Sequence, residues 1–164
     1  MRPLALFTSL LLSAAVISSV GFQCGSTEMT SARLYITRSD WDNAIRNLEA
    51  EVAKNSKNEE AWYLLGRVKA EKNDFAGMND GFNHALEVGK TYAKEIHDVR
   101  FNYWGRYLNS GVESFNKAKD SAQYHDKAIR AFETAIVIIP DSGIAYKDLA
   151  FCYLSKNDMR KALG

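Results

Sequence analysis

The sequence predicts an all-α protein in which helix–turn–helix units stack along the chain with a 34-residue period. Three observations predict it. Shifted by 34 residues, the chain matches itself at its large and small apolar positions, which marks a repeat architecture. Its two prolines stand at Pro3 and Pro140, so no helix-breaking ring interrupts the stretch between them. Within a unit, apolar residues recur at spacings of three and four, as in Phe132, Ala135, Ile136 and Ile139. That spacing places them on one helix face.

Residues 1–23 stand apart from this pattern. Arg2 supplies a positive start, Leu4 to Val20 carries no charge, and Ser18, Ser19 and Gly21 are small. This is the three-part layout of a secretory signal. Cys24 follows, with Gly25-Ser26-Thr27 behind it. The arrangement resembles a bacterial lipoprotein signal, which implies lipidation of Cys24 and a short tether over residues 24–30. Cleavage after Gly21 and an uncleaved anchor remain open, since Leu4 to Phe22 is about long enough to cross a bilayer. All three readings place the body outside the cytoplasm. The lipoprotein resemblance implies the bacterial cell envelope, either the outer membrane or the periplasm.

The repeats follow from about residue 31. The first (31–58) carries Ala32, Tyr35, Trp41, Ala44 and Leu48, with Glu51 where a small residue is expected. The second (59–92) carries Trp62, Leu65, Gly66, Phe75, Phe82 and Ala85, departing from the pattern at Lys69 and Met78. Ala128, Phe132, Ala135 and Pro140 close the third (93–142). Tyr146, Leu149, Ala150, Tyr153, Met159 and Ala162 fall in register in the fourth (143–164). With its Trp62-x2-Leu65-Gly66 signature, the chain from about Thr30 onward resembles the tetratricopeptide repeat family. The resemblance implies a right-handed α-solenoid of about four repeats, the third with an extended first helix and the fourth incomplete.

Small residues at Gly66 and Ala150 are expected to let paired helices approach, with Trp62 and Tyr146 filling the remaining gap. Lys72-Asn73-Asp74 and Lys156-Asn157-Asp158 read as equivalent turns, and Pro140 ends the helix that contains Ile136. Met78 and Ala128 lie 50 residues apart where 34 is expected, leaving 16 extra between the second and third repeats. Their apolar spacing predicts one long helix from Ala93 to about Ala118, joined to the next by Lys119 to Gln123. Its aromatic and basic residues either pack on repeat two or form an overhanging partner surface centred on Arg100, Trp104 and Tyr107.

No chemistry is indicated. Beyond residue 24 the chain has 20 basic and 20 acidic residues, which argues against general nucleic-acid binding. His84, His97 and His125 have no companions at metal-ligand spacing, and Cys152 reads as a small apolar helix residue. Phosphate-cradling glycine loops and the hydrolase serine elbow are absent from the sequence. No catalytic residue, cofactor, metal or small-molecule substrate is therefore expected.

The tetratricopeptide resemblance implies that first helices line a groove for peptides or extended protein segments. On that basis Arg33, Tyr63, Arg67 and Lys147 are the groove candidates, with Lys117 in the same nominal phase in repeat three and Phe151 breaking the row. A positive row suits a partner bearing carboxylates, unless the arginines pair with glutamates such as Glu71. The expected function is a membrane-tethered scaffold or assembly factor of the cell envelope. The alternative is the opening repeat region of a longer secreted protein with a later enzymatic or carbohydrate-binding domain, because the sequence stops midway through the fourth unit.

Overall fold

The structure, a computed structural model, describes residues 26–118 and 123–156. The 1–23 leader, Cys24, Met159, Ala162 and the turn residues after Lys156 lie outside them. Seven helices make up the described chain: α1 (Thr27–Thr37), α2 (Trp41–Lys54), α3 (Glu59–Glu71), α4 (Phe75–Val88), α5 (Ala93–Lys117), α6 (Gln123–Ile138) and α7 (Gly143–Ser155). No strand occurs among the described residues. Consecutive helices pair as α1/α2, α3/α4 and α5/α6, and the pairs stack into an all-α solenoid.

Short polar side chains set most of the helix starts. Ser26, Asp40, Asn58, Asp74 and Ser142 each accept a hydrogen bond from a backbone N–H of the helix that follows. These bonds satisfy donors that an α-helix otherwise leaves open. Capping by Ser26 starts α1 at Thr27, so residues 27–30 form its first turn and not part of a tether. The turn between paired helices is the same structure twice. Ser39 (φ 55°) and Asn73 (φ 59°), 34 residues apart, adopt the left-handed conformation. The amides of Asp40 and Asp74 then donate to Tyr35 O and Lys69 O, both at 2.9 Å, closing each helix end.

Three apolar clusters run along the stack. The first joins α1, α2 and α3 around Ala32, Leu48 and Leu65. The second joins α3, α4 and α5 around Phe82, Met78 and Ile96. The third joins α5, α6 and α7 around Phe132, Ala128 and Cys152. Each cluster draws on at least three helices, the second also on Ile138 of α6, so no hairpin buries its apolar face alone. Phe82 and Phe132 are fully buried, a burial that stabilises by about 1.5–3 kcal/mol each. Burial also pushes the Cys152 thiol up to about 11, as suits a packing residue.

Two glycines set how closely the hairpins close. A Cβ on Gly66 would lie 2.5 Å from the Phe82 ring, and one on Gly111 would lie 2.5 Å from the Phe132 ring. Gly111 therefore plays in α5 the part Gly66 plays in α3, and this equivalence revises the third repeat. Eighteen residues of α5 precede Gly111, against seven of α3 before Gly66, so eleven of the extra residues extend α5 at its start. The other five lie inside the repeat, since Gly111 precedes Phe132 by 21 residues and Gly66 precedes Phe82 by 16.

Two packing expectations change. Glu51 is only 4% exposed, accepting from Asn58 Nδ2 at 2.7 Å and from the Ser26 hydroxyl. Its carboxylate binds the capping residues of α1 and α3 together, which a small residue could not do. The space above Gly66 is filled by the Phe82 ring, while Trp62 stacks on His84 at 4.4 Å with Nε1 donating to Ser56 O at 3.0 Å. Tyr146 likewise fills no gap; it is 51% exposed, because no described helix covers its face of α7.

Among the described glycines, the tightest approach to backbone lies at Gly81, where an added Cβ would meet Gly66 N at 2.7 Å and Trp62 O at 3.0 Å. Gly81→Ala is expected to cost about 1–3 kcal/mol, because backbone cannot yield as a side chain can. Gly105 has nothing within 4 Å of such a Cβ, so Gly105→Ala is expected to stabilise by about 0.5–1 kcal/mol. Urea denaturation of both variants checks the pair.

Candidate functional site

The face carried by α1, α3, α5 and α7 is where the groove candidates fall. With Gly66 and Gly111 aligned, the residue that follows each glycine is Arg67 in α3 and Val112 in α5. The corresponding residues of α1 and α7 are Arg33 and Phe151. Val112 takes the place expected for Lys117, which instead pairs along its own helix with Glu113 at 2.5 Å. The row thus runs from basic to apolar.

Its four members differ in availability. Arg33 is committed: its Nη2 donates to both Glu60 carboxylate oxygens, at 2.8 and 2.7 Å, linking α1 to α3. Charge-assisted bonding to Glu60 raises the Arg33 pKa further. Arg67 is exposed, lies 5.8 Å from the Tyr63 ring centroid, and pairs with no carboxylate among the described residues. Glu71 serves Tyr103 instead; burial first, and then this carboxylate, raise the Tyr103 phenol. Val112 is 41% exposed and Phe151 52%. With Phe115, Phe132 and Asp148 they line a cleft of about 210 Å³ between α5 and α7.

The remaining groove candidates divide. Tyr63 is 8% exposed and stacks on Tyr92 at 4.3 Å, so it belongs to the core and not to a contact surface. Lys147 is exposed, 3.6 Å from Asp148. The row of Val112, Phe115 and Phe151 was hidden from the sequence because repeat three had no visible register. The signal was present as Gly111, matched to Phe132 as Gly66 is to Phe82.

The long-helix candidates face inward. Tyr107 takes the place of Trp62 in its repeat, edge-on to Phe75 at 5.2 Å with its hydroxyl 3.3 Å from Asn73 Oδ1. Trp104 donates from Nε1 to Ser142 Oγ at 2.9 Å, tying α5 to the start of α7. Arg100 donates to Asn79 Oδ1 at 2.8 Å and Asn83 Oδ1 at 2.7 Å, tying α5 to α4. An overhanging partner surface built on these three is therefore not what α5 presents. Of its aromatics, Phe101 is the exposed one.

Among the described residues no group of three metal-ligating side chains comes together. No helix there is long and apolar enough to cross a membrane.

The fold and this face define a class: an all-α solenoid of helix–turn–helix repeats, with a mixed basic and apolar face. No protein-family model matches the chain, and no curated protein matches it in sequence. Two crystal structures of MamA resemble it at 24% identity, with TM-scores of 0.39 and 0.38. The matches cover 83% of this chain and 70% and 66% of the MamA chains. The class rests on the repeated turns and glycine contacts described above.

The exposed Arg33–Glu60 pair has a measurable signature. A double-mutant cycle with Arg33→Ala and Glu60→Ala is expected to return about 0.2–1 kcal/mol, falling as salt is raised.

Proposed function

We propose that this chain is a non-catalytic interaction module whose α1/α3/α5/α7 face holds a segment of another protein. One observation carries the reading: Arg67, Val112 and Phe151 stand exposed on one face, with an apolar cleft beneath the last two. A segment that fits carries a carboxylate opposite Arg67 and a large apolar side chain for the cleft. The cleft supplies apolar burial and the arginine fixes register, through a bond that is stronger for being charged. Arg33 contributes less, since Glu60 already neutralises it. The histidines fit a module without chemistry. His84 lies between Asp80 and Glu87, His97 beside Asp98, and His125 near Ser155, all as helix-surface contacts.

The module works, in this reading, outside the cytoplasm, held to the bacterial envelope by a lipid on Cys24. The charge-free run from Leu4 to Val20 and the cysteine behind it support the anchor.

A photo-crosslinking residue at Phe151 in intact cells is expected to capture a partner that the same residue at Val137 on α6 does not. Arg67→Glu with Phe151→Asp should reduce that capture about tenfold or more at unchanged helical content, while Arg33→Glu changes it little. Unchanged capture by the double variant rules out this face. For the anchor, fatty-acid-analogue labelling and globomycin-sensitive processing are both expected to vanish in Cys24→Ala. Labelling that persists excludes Cys24.

A further inference from the structure

The eleven residues that lengthen α5 build something an ordinary repeat lacks. They lay its first turns along α4 and against the end of α6, bordering a half-open pocket of about 540 Å³. Leu86, Ile96, Ile138 and Ile139 supply apolar wall, and Arg100, Asn79, Asn83 and His97 supply its polar lining, with Asp141 at the rim. Volume and lining are those of a small-molecule site, mostly apolar with a few convergent polar groups.

Arg100 decides what such a site selects. Its guanidinium is half-buried, 5.5 Å from the Phe82 ring centroid, and burial lowers its pKa from the ordinary arginine value. Every acceptor it has is neutral: Asn79 Oδ1, Asn83 Oδ1 and, at 3.4 Å, Asn79 O. No carboxylate pairs with it among the described residues, and its Nη1 has no acceptor there. A half-buried cation without a counter-ion is costly, and an anion entering the pocket would relieve that cost.

Asn79 explains part of the arrangement. Its Nδ2 donates to Val137 O at 2.6 Å and Ile138 O at 3.2 Å, so Arg100 and Asn79 together brace the α6 end. That end offers only a fractional negative charge, about half a unit, which does not neutralise a whole one. The start of α5 adds positive character at the same mouth. Ala93 lines the pocket, and Tyr92 makes no side-chain cap bond to the first-turn amides. Asp141 at the rim disfavours a doubly charged anion, and the isoleucine walls disfavour a wholly polar one.

We propose that this pocket binds a small amphipathic monocarboxylate, its carboxylate on Arg100 and its aliphatic body against Ile96, Ile138 and Ile139. The site lies apart from the α1/α3/α5/α7 face and does not depend on the function proposed for it. It also departs from the sequence-based expectation of no small-molecule ligand.

Calorimetric titration of the full chain with octanoate tests it, with 1-octanol and inorganic phosphate as comparisons. Octanoate is expected to bind saturably at one site, and both comparisons about tenfold or more weaker. In two-dimensional NMR, octanoate should move the side-chain amides of Asn79 and Asn83. Arg100→Gln should lower octanoate affinity about tenfold while Arg67→Gln leaves it unchanged. Because Arg100 also braces α5 against α4, Ala93→Phe gives a second route: it narrows the mouth, keeps Arg100, and should weaken binding equally. Equal affinity for octanoate and octanol, shifts centred on Val112 and Phe151, or no saturable binding would each overturn the proposal.

Discussion

Contact between a glycine on one helix and a phenylalanine ring on its partner sets the geometry on which the rest of this molecule depends. Gly66 under Phe82 and Gly111 under Phe132 let two helices lie close enough for the ring to fill the space that a Cβ would need. Close packing makes that distance stiff, because an interior at crystal-like density has no slack to absorb a methyl group. The two contacts therefore act as fixed points, and everything between and around them is referred to them. They give Val112 the repeat position in α5 that Arg67 has in α3, and they turn Tyr107 inward as the counterpart of Trp62.

Polar groups then lock one hairpin to the next. Glu51 does so by holding the capping residues of α1 and α3 from a buried position. Arg33 and Glu60 do so at the surface, where the attraction is weaker and screened. Arg100 and Asn79 do so among α4, α5 and α6, in the part of the stack where the extra length of α5 departs from the repeat. These polar links occur where successive hairpins meet, the joints that a solenoid depends on for its stability.

The consequence is a molecule with two different surfaces of interest. Its odd-helix face is an ordinary product of the repeat, with identity changing from Arg67 to Val112 to Phe151 along the row. The pocket behind α5 is a product of the insertion alone, and the Arg100 charge there pairs with no carboxylate among the described residues. A repeat supplies a platform that many sequences share; an insertion adds a cavity belonging to one chain.

Periodicity by itself determined the all-α class, the hairpin units, the turn at Asn73, and α5 beginning at Ala93, whereas the matching turn at Ser39 came from the structure. These are local properties, set by side-chain spacing, capping residues and the absence of proline over a few turns of chain. Register in repeat three was beyond it, because the extra residues divide between the start of α5 and the stretch from Gly111 to Phe132, and a linear shift cannot divide them. Only the packed structure decided that Gly111 answers Phe132, that Tyr63 is core with Tyr107 packed partly buried against it, that Arg33 is neutralised while Arg67 meets no carboxylate among the described residues, and that Arg100 lies among neutral acceptors. Each of these depends on which groups from distant parts of the chain come within a few ångströms of one another, and burial and pairing are decided there.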